Sequence, residues 1–475
     1  MRSDHSKENT KPRRISELNK QLTILGAGES GIGAAQLGVK QGYDVFVSDA
    51  GQISEDRKIL LEQYGVEFEE GGHEMARILK SDVVVKSPGI PDKAPLIKSL
   101  VAKSIPVISE IEFAYEYLPK GAKVIAITGT NGKTTTTLLT HHLLKSAGLN
   151  VALGGNIGIS LAKLVAEEEH DYYVVEVSSF QLDGIVRFKP DVAVLLNITP
   201  DHLDRYEYDF SKYVASKFRI VENLSHEEAF IYCADSEPVN EEVAKRRIEA
   251  SLFAVSTTRD TRWNAYMEND HLIFNYQWDD KNQHHAIPVS EISLIGKHNM
   301  INSMSAVLSA LTLNVPIETV LKALKSFVNA PHRLEPVGTI DGVKFINDSK
   351  ATNVDSVYYA LDGHKSKIIW IAGGIDKGNE YGQIAELVKK KVKSLICLGV
   401  DNEKLTSFFG GMVDINETRH ISEAVQLALS KAEKGDVVLL SPACASFDLF
   451  RNYEDRGDQF RAAVKDLKKL KKAQV

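Results

Sequence analysis

The chain has 475 residues, of which 43% are hydrophobic and 25% charged, and a formal net charge of −7. These are ordinary globular proportions, so wholesale disorder is excluded, and about 150 residues per domain suggests roughly three domains. The acidic balance argues against a nucleic-acid partner, which rewards clustered Lys and Arg; the one basic cluster, Lys465 to Lys472, reads as the solvated end of a C-terminal helix.

The polar residues 1–14 contain no apolar segment of the kind a secretory signal needs and are expected to form a loose tail. No later apolar run approaches the ~20 residues of a membrane-spanning helix. Cys233, Cys397 and Cys444 are far apart and form no CxxC pair. A disulfide framework or a structural zinc site is therefore not expected, and a reducing compartment fits best. Together these features predict a cytoplasmic protein with no membrane partner.

Short β-rich apolar runs then alternate with amphipathic segments, the pattern of α/β layers with parallel sheets. The first block, residues 15–118, holds strand candidates at 22–25, 44–47 and 83–86. Within it ILGAGESGIGAAQ is followed by VFVSD, with Gly26, Gly28 and Gly31 spaced as a dinucleotide fingerprint and Asp49 eighteen residues beyond Gly31. On spacing alone a dinucleotide-dependent oxidoreductase fits this block. A Gly-rich turn feeding a helix binds any diphosphate, so the motif does not say which.

The second block, residues 119–330, opens after Leu118-Pro119-Lys120-Gly121 with a strand at 123–128. There follows GTNGKTT, comprising Gly129, Thr130, Asn131, Gly132, Lys133, Thr134 and Thr135, and then a helical segment. Backbone N–H groups of such a loop surround a phosphate, Lys133 reaches the β/γ-phosphates, and the Thr134 hydroxyl serves Mg²⁺. The loop departs from GxxxxGK[ST] in having Ile127 where the first Gly belongs. A nucleotide triphosphate site is expected, on an enzyme or on a nucleotide-dependent switch.

Further strands are expected at 172–177 and 191–196, then β-hairpins around 251–288 and helices at 299–313 and 317–328. Glu176 lies inside the run VVEV, and a carboxylate so buried needs a partner, for which Mg²⁺ is suited. His202, between Asp201 and Asp204, reads equally well as a metal ligand or a hydrogen-bonded loop histidine. His141-His142 and His284-His285 are adjacent pairs whose rings diverge on a helix or strand, so neither chelates. Ser178-Ser179 lack a GxSxG elbow, against a serine hydrolase. The third block, residues 331–475, carries strands at 367–372, 394–398 and 436–440.

GTNGKTT, VVEVSSFQLD and NITPDHLDRY, in that order, resemble the Mur ligase family of ATP-dependent amide-bond-forming enzymes. SLIGKHNMIN, PHRLEPVG, FINDSKATN, IAGGIDKG and SPACASFDLF extend the resemblance through the third block, and SSFQL with GGNIG and NDSKATN points to its D-glutamate-adding branch. The resemblance implies three α/β domains: a Rossmann-like UDP-binding domain, a central phosphate-loop domain and a Rossmann-like amino-acid-binding domain. It implies a monomer whose substrates are UDP-N-acetylmuramoyl-L-alanine and D-glutamate, with ATP and two Mg²⁺ ions. Carried over by motif, Lys133, Thr134, Glu176 and His202 serve ATP and metal. Lys217, in the stretch Tyr213 to Ile220, would be carbamylated and hold the second ion. Asn299 and Asn302 would face adenine, Asp348 the ribose, and His332 and Arg333 substrate and phosphate. Lys350, Thr352, Lys377, Ser446 and Phe447 would form the D-glutamate pocket. Asn156 and Ser178 would contact the UDP-sugar, as would Gly28, Glu29, Ser30 and Asp49 of the first block, which then takes UDP and not NAD. Tyr453 departs from the family's frequent Phe.

Overall fold

The computed structural model describes residues 20–473, so the tail expected over 1–14 lies outside the described residues. β1 (Gln21–Leu25), β2 (Asp44–Asp49), β3 (Glu67–Glu70), β4 (Val83–Lys86) and β5 (Val107–Ser109) form a parallel sheet in the order β3-β2-β1-β4-β5. The strand order reverses between β1 and β4, which opens a ligand crevice beyond their C-terminal ends. β3 reads EFEE and sits at an edge, and β5 has three residues, so neither carries a hydrophobic run that announces it.

β6 (Lys123–Thr128), β7 (Val151–Gly155), β8 (Tyr172–Glu176), β9 (Val192–Leu195), β10 (Ala229–Cys233), β11 (Ser251–Ser256), β12 (Ala265–Glu268), β13 (His271–Trp278) and β14 (Lys281–Pro288) form the second sheet. Its order is β14-β13-β12-β11-β10-β9-β6-β8-β7, with only the β12-β13-β14 end antiparallel. The expectation of hairpins across 251–288 is therefore corrected: Ser251–Ser256 is a parallel strand beside β10, and hairpins begin at β12. The third sheet is β15 (Glu335–Ile340), β16 (Val343–Asn347), β17 (Ile368–Ala372), β18 (Val392–Leu398), β19 (Asp414–Thr418) and β20 (Val437–Leu440), ordered β15-β16-β20-β17-β18-β19 and parallel except for β15. Among the described residues no helix is long and apolar enough to cross a membrane.

The first two sheets are not separate bodies. Leu22, Ile24 and Phe113 from one side and Val124, Tyr173 and Leu195 from the other belong to a single continuous core. Close approach requires glycine: a Cβ on Gly33, in the helix Glu29–Lys40, would stand 2.1 Å from Ser160 Oγ. Two glutamates of the short helix Glu110–Tyr115 pin the junction. Glu112 accepts the backbone N–H groups of Val186, Arg187 and Phe188, and Glu110 Oε1 accepts that of Ala162 at 2.5 Å.

Glu110 is buried, its Oε2 finds no partner among the described residues, and burial above all raises its pKa to about 7. The folded protein thus holds a proton that the unfolded chain releases. The associated stability is fully present below the ordinary glutamate value and is lost as pH rises to about 7. Glu110→Gln is expected to remove this pH dependence and to be the more stable protein at pH 8, by on the order of 3 kcal/mol. Thermal melts of both proteins from pH 5 to 8 check this; parallel curves would refute it.

Candidate active site

The loop between β6 and the helix Lys133–Ser146 is held from beneath. Gly132 caps the helix at φ 87°, and a Cβ there would come within 2.5 Å of Asn302 Oδ1. Asn197, just after β9, locks the loop: its carbonyl accepts from Thr130 N, and its side chain exchanges hydrogen bonds with Asn131 N and O. Thr130 Oγ1 turns inward to Thr199 and the Tyr213 hydroxyl. The Thr130 and Asn131 amides are therefore spent on bracing the loop, while Lys133 and Thr134 face its mouth.

Lys133 Nζ lies 2.8 Å from both the Gly129 and Thr130 carbonyls, and burial pushes its pKa below the ordinary lysine value. Thr134 Oγ1 donates to Glu176 Oε2 at 2.8 Å and accepts from Arg333 Nη2 at 3.2 Å. The partner that Glu176 needs is thus supplied by the loop, and Asn156 Nδ2 donates to its other oxygen at 2.9 Å. Lys217 is 1% exposed, donates to the Gly129 carbonyl at 2.8 Å, and lies over the Tyr213 ring. Burial, and then the Lys133 charge, hold its amine well below the lysine range.

His202 sits in left-handed backbone at φ 52°, its ring half-exposed and edge-on to Phe180. Burial lowers its pKa, as do the charges of Lys133, Lys377 and Lys217, against the pull of Asp201. Among the described residues no three His, Cys, Asp or Glu side chains form a ready-made cation cage. Thr134 and Glu176, joined by a hydrogen bond, offer oxygens of the kind Mg²⁺ takes when phosphate and water complete its shell. Among the described residues the buried Thr199 Oγ1 and Arg333 Nε have no partner, which suits a site finished by a polar ligand.

From the third domain, Arg333 reaches Thr134 and Ser356 reaches Asn131. His332 does not join them: its backbone turns the other way at φ 63°, and the ring packs under Gly457 with Nδ1 3.0 Å from Asn347 Nδ2. The contacts of its ring thus lie inside its own domain. Lys350, Thr352, Lys377, Ser446 and Phe447 lie on loops beyond the C-terminal ends of β16, β17 and β20. Lys350 packs over the Tyr453 ring, with its pKa lowered to about 8 by burial and then by Arg333. Lys377 and Phe447 are exposed, and Ser446 is buried.

A cavity of about 50 Å³ adjoins the loop, lined among others by Asn299, Asn302, Asp348, Ser356, His298 and Tyr359. Asp348 accepts from Leu334 N and Ser441 Oγ, and burial raises its pKa to about 7. Ser356 donates to Asn131 across the domains at 3.1 Å, and the His298 and Tyr359 rings meet at 5.0 Å. Sequence reading missed these last three. The only signal was that His298 stands within GKHN and that Ser356 and Tyr359 follow NDSKATN, because 61 residues separate the paired rings. Larger open crevices, such as one of about 920 Å³ lined by Lys20, Tyr43 and Arg187, hold none of this chemistry.

In the N-terminal crevice, Gly28 has open space where a Cβ would stand, and Gly31 approaches the Gly26 carbonyl too closely to carry one. Glu29 and Ser30 begin the helix. Asp49 accepts Ala27 N–H at 2.7 Å and Gly51 N–H at 2.8 Å, so both its oxygens brace backbone. Ser178 caps the short helix Ser179–Leu182 in a reciprocal box with Gln181.

Three family models match the chain in succession: MurD N-terminal domain over residues 21–95, Mur ligase middle domain over 127–310, and Mur ligase, glutamate ligase domain over 332–444. The UDP-N-acetylmuramoylalanine–D-glutamate ligase of Christiangramia forsetii is 51% identical over 95% of this chain and all of its own length. That of Cytophaga hutchinsonii is 52% identical over the same shares, and that of Bacteroides fragilis 48% over 94% of this chain and all of its own. The fold is shared with the solved UDP-N-acetylmuramate-alanine ligase MurC of Thermotoga maritima, at a TM-score of 0.59 and 17% identity, covering 94% of this chain and 100% of that one. MurF ligase of the same organism, in complex with ADP, gives 0.57 at 14% identity, covering 89% and 95%.

Proposed function

Because the chain belongs to the Mur ligase family, we propose that it joins D-glutamate to UDP-N-acetylmuramoyl-L-alanine, driven by ATP, in peptidoglycan precursor synthesis. It is an ATP-dependent ligase that forms a peptide bond. The observation that carries the substrate-level reading is the meeting of Thr134 with Glu176 from its own domain and Arg333 from the glutamate-ligase domain. A phosphate loop alone would suit a switch; an arginine brought to it by a second substrate domain suits a transfer between two bound substrates.

In the first step the carboxylate of the UDP-sugar peptide attacks the γ-phosphorus of ATP, giving an acyl phosphate and ADP. The amine of D-glutamate then attacks the acyl carbon, and the tetrahedral intermediate releases phosphate and leaves the amide. Two anions must approach in the first step, so Lys133, Arg333 and the remaining loop amides act by offsetting charge where it gathers. Thr134, Glu176 and His202 would hold Mg²⁺, which supplies Lewis-acid polarisation of the phosphoryl oxygens. Lys217, as a carbamate, would hold a second ion. Asn299 and Asn302 face the base and Asp348 the ribose, in a cavity that His298 and Tyr359 close. Lys350 and Lys377 match the two carboxylates of D-glutamate, with Thr352, Ser446 and Phe447 around them. Docking of the third domain over the loop excludes water from the acyl phosphate. Asn156 and Ser178 act on this reading through Glu176 and the helix cap.

The deciding experiment is phosphate release from ATP across UDP-muramoyl precursors and amino acids: turnover should require both UDP-N-acetylmuramoyl-L-alanine and D-glutamate. ATP hydrolysis indifferent to both would overturn the assignment. For the N-terminal crevice we expect saturable UDP binding that NAD does not displace. The Gly-rich turn suits any diphosphate, and the match of residues 21–95 to the MurD N-terminal domain is what favours UDP. Equilibrium dialysis decides, and tight NAD binding unaffected by UDP would count against this placement.

A further inference from the structure

The loop after β4 lines the N-terminal crevice: Ser87 N donates to the Leu25 carbonyl, and a Cβ on Gly26 would meet Ser87 Oγ at 2.5 Å. The next two carbonyls of that loop are held from the central domain. Arg205 Nη1 donates to Gly89 O at 2.8 Å, and Nη2 donates to Pro88 O at 3.1 Å. Among the described residues this guanidinium has no ion pair; its remaining neighbour is the Phe180 ring, 4.5 Å away. The same ring meets the His202 imidazole edge-on at 5.2 Å. Arg205 and His202 also share one tight turn, in which Arg205 N donates to the His202 carbonyl at 3.0 Å.

We propose that Arg205 is a positioning residue that couples occupancy of the N-terminal crevice to the metal side of the active site. A bound diphosphate fixes the 87–90 loop; the loop carbonyls fix the guanidinium; and the guanidinium fixes the turn and the ring that set His202. The link is contiguous, and it is made by a planar group with two parallel donors, a geometry that an ammonium cannot reproduce. Coupling of this kind is reciprocal: a ligand in the crevice tightens the metal, and the metal tightens the ligand. The inference rests on the reading that UDP enters the crevice and that His202 serves the metal.

The test uses the full chain saturated with a non-hydrolysable ATP analogue, with Mn²⁺ binding followed by electron paramagnetic resonance, with and without UDP. UDP alone is the probe because it carries no carboxylate that could reach the active-site metal, and the Mn²⁺ that its diphosphate chelates in solution is measured without protein and subtracted. In the native protein UDP should tighten Mn²⁺ by about 5-fold or more. In Arg205→Ala the ratio should fall to about one, and in Arg205→Lys, which keeps the charge, it should be intermediate. Melting temperatures serve as the control for folding. A native ratio of one, or an undiminished ratio in both variants, would overturn the proposal while leaving the ligase reading intact. Failure of labelled UDP to bind the native protein at all would instead overturn both.

Discussion

Lys133→Ala is expected to lower ATP-dependent ligation by at least about 10²–10³-fold, the loss typical of removing a principal electrostatic contact from a transition state. The side chain is partly buried, and among the described residues its hydrogen-bond acceptors are the Gly129 and Thr130 carbonyls of its own loop. It therefore contributes a cation to the loop mouth and little to the fold. The loop keeps its shape by other means, through Asn197, Thr199 and Tyr213. Removing the ammonium should leave circular dichroism and the melting transition near those of the native protein. It takes away a charge at the point where a carboxylate meets a triphosphate. Arg333 remains, so nucleotide binding should weaken less than turnover. Steady-state kinetics with a nucleotide-binding measurement checks this, and native turnover by the folded variant would place the nucleotide elsewhere.

What the sequence disclosed about this site follows from how locally each part is built. The phosphate loop was legible because strand, glycines, Lys133 and helix are consecutive, and each needs only its neighbours. Glu176 was legible as a buried acid at a strand end, although its partners Thr134 and Asn156 come from two other elements. Arg333 lies 199 residues from Thr134, and only motif order brought them together. His332 adjoins Arg333, yet its ring is buried against Gly457 and Asn347, a placement that motif order does not disclose. Tyr359 and His298 meet across a domain boundary by packing, which leaves no periodic trace. The strands β3 and β5 escaped for another reason, since an edge strand reading EFEE and a three-residue strand carry no alternation to detect. The dinucleotide spacing around Gly26 was legible as a fold and ambiguous as a function, and Asp49, with both oxygens on backbone, shows why spacing could not choose.

Lys217 is expected to be indispensable in a way no other cation could replace, because on our reading it works as an anion. An ammonium has no lone pair for Mg²⁺ and would repel it. Lys217 is buried beside Lys133, and both circumstances favour its neutral amine. A neutral amine adds carbon dioxide, forming an N–C bond and releasing one proton, and becomes an oxygen donor of the kind a hard cation prefers. The product would carry negative charge toward Lys133, which replaces a repulsion by an attraction. Lys217→Arg keeps a positive charge but cannot form the carbamate, so it should lose at least about 10²-fold in turnover, as Lys217→Ala should. The native enzyme should lose activity in buffer stripped of carbon dioxide and regain it with bicarbonate. Carbon-13 bicarbonate should give a protein-bound carbamate resonance that is absent from both variants. Full activity of Lys217→Arg, or native activity indifferent to carbon dioxide with no such resonance, would leave Lys217 as a buried amine that ties the helix Phe210–Phe218 to the Gly129 carbonyl.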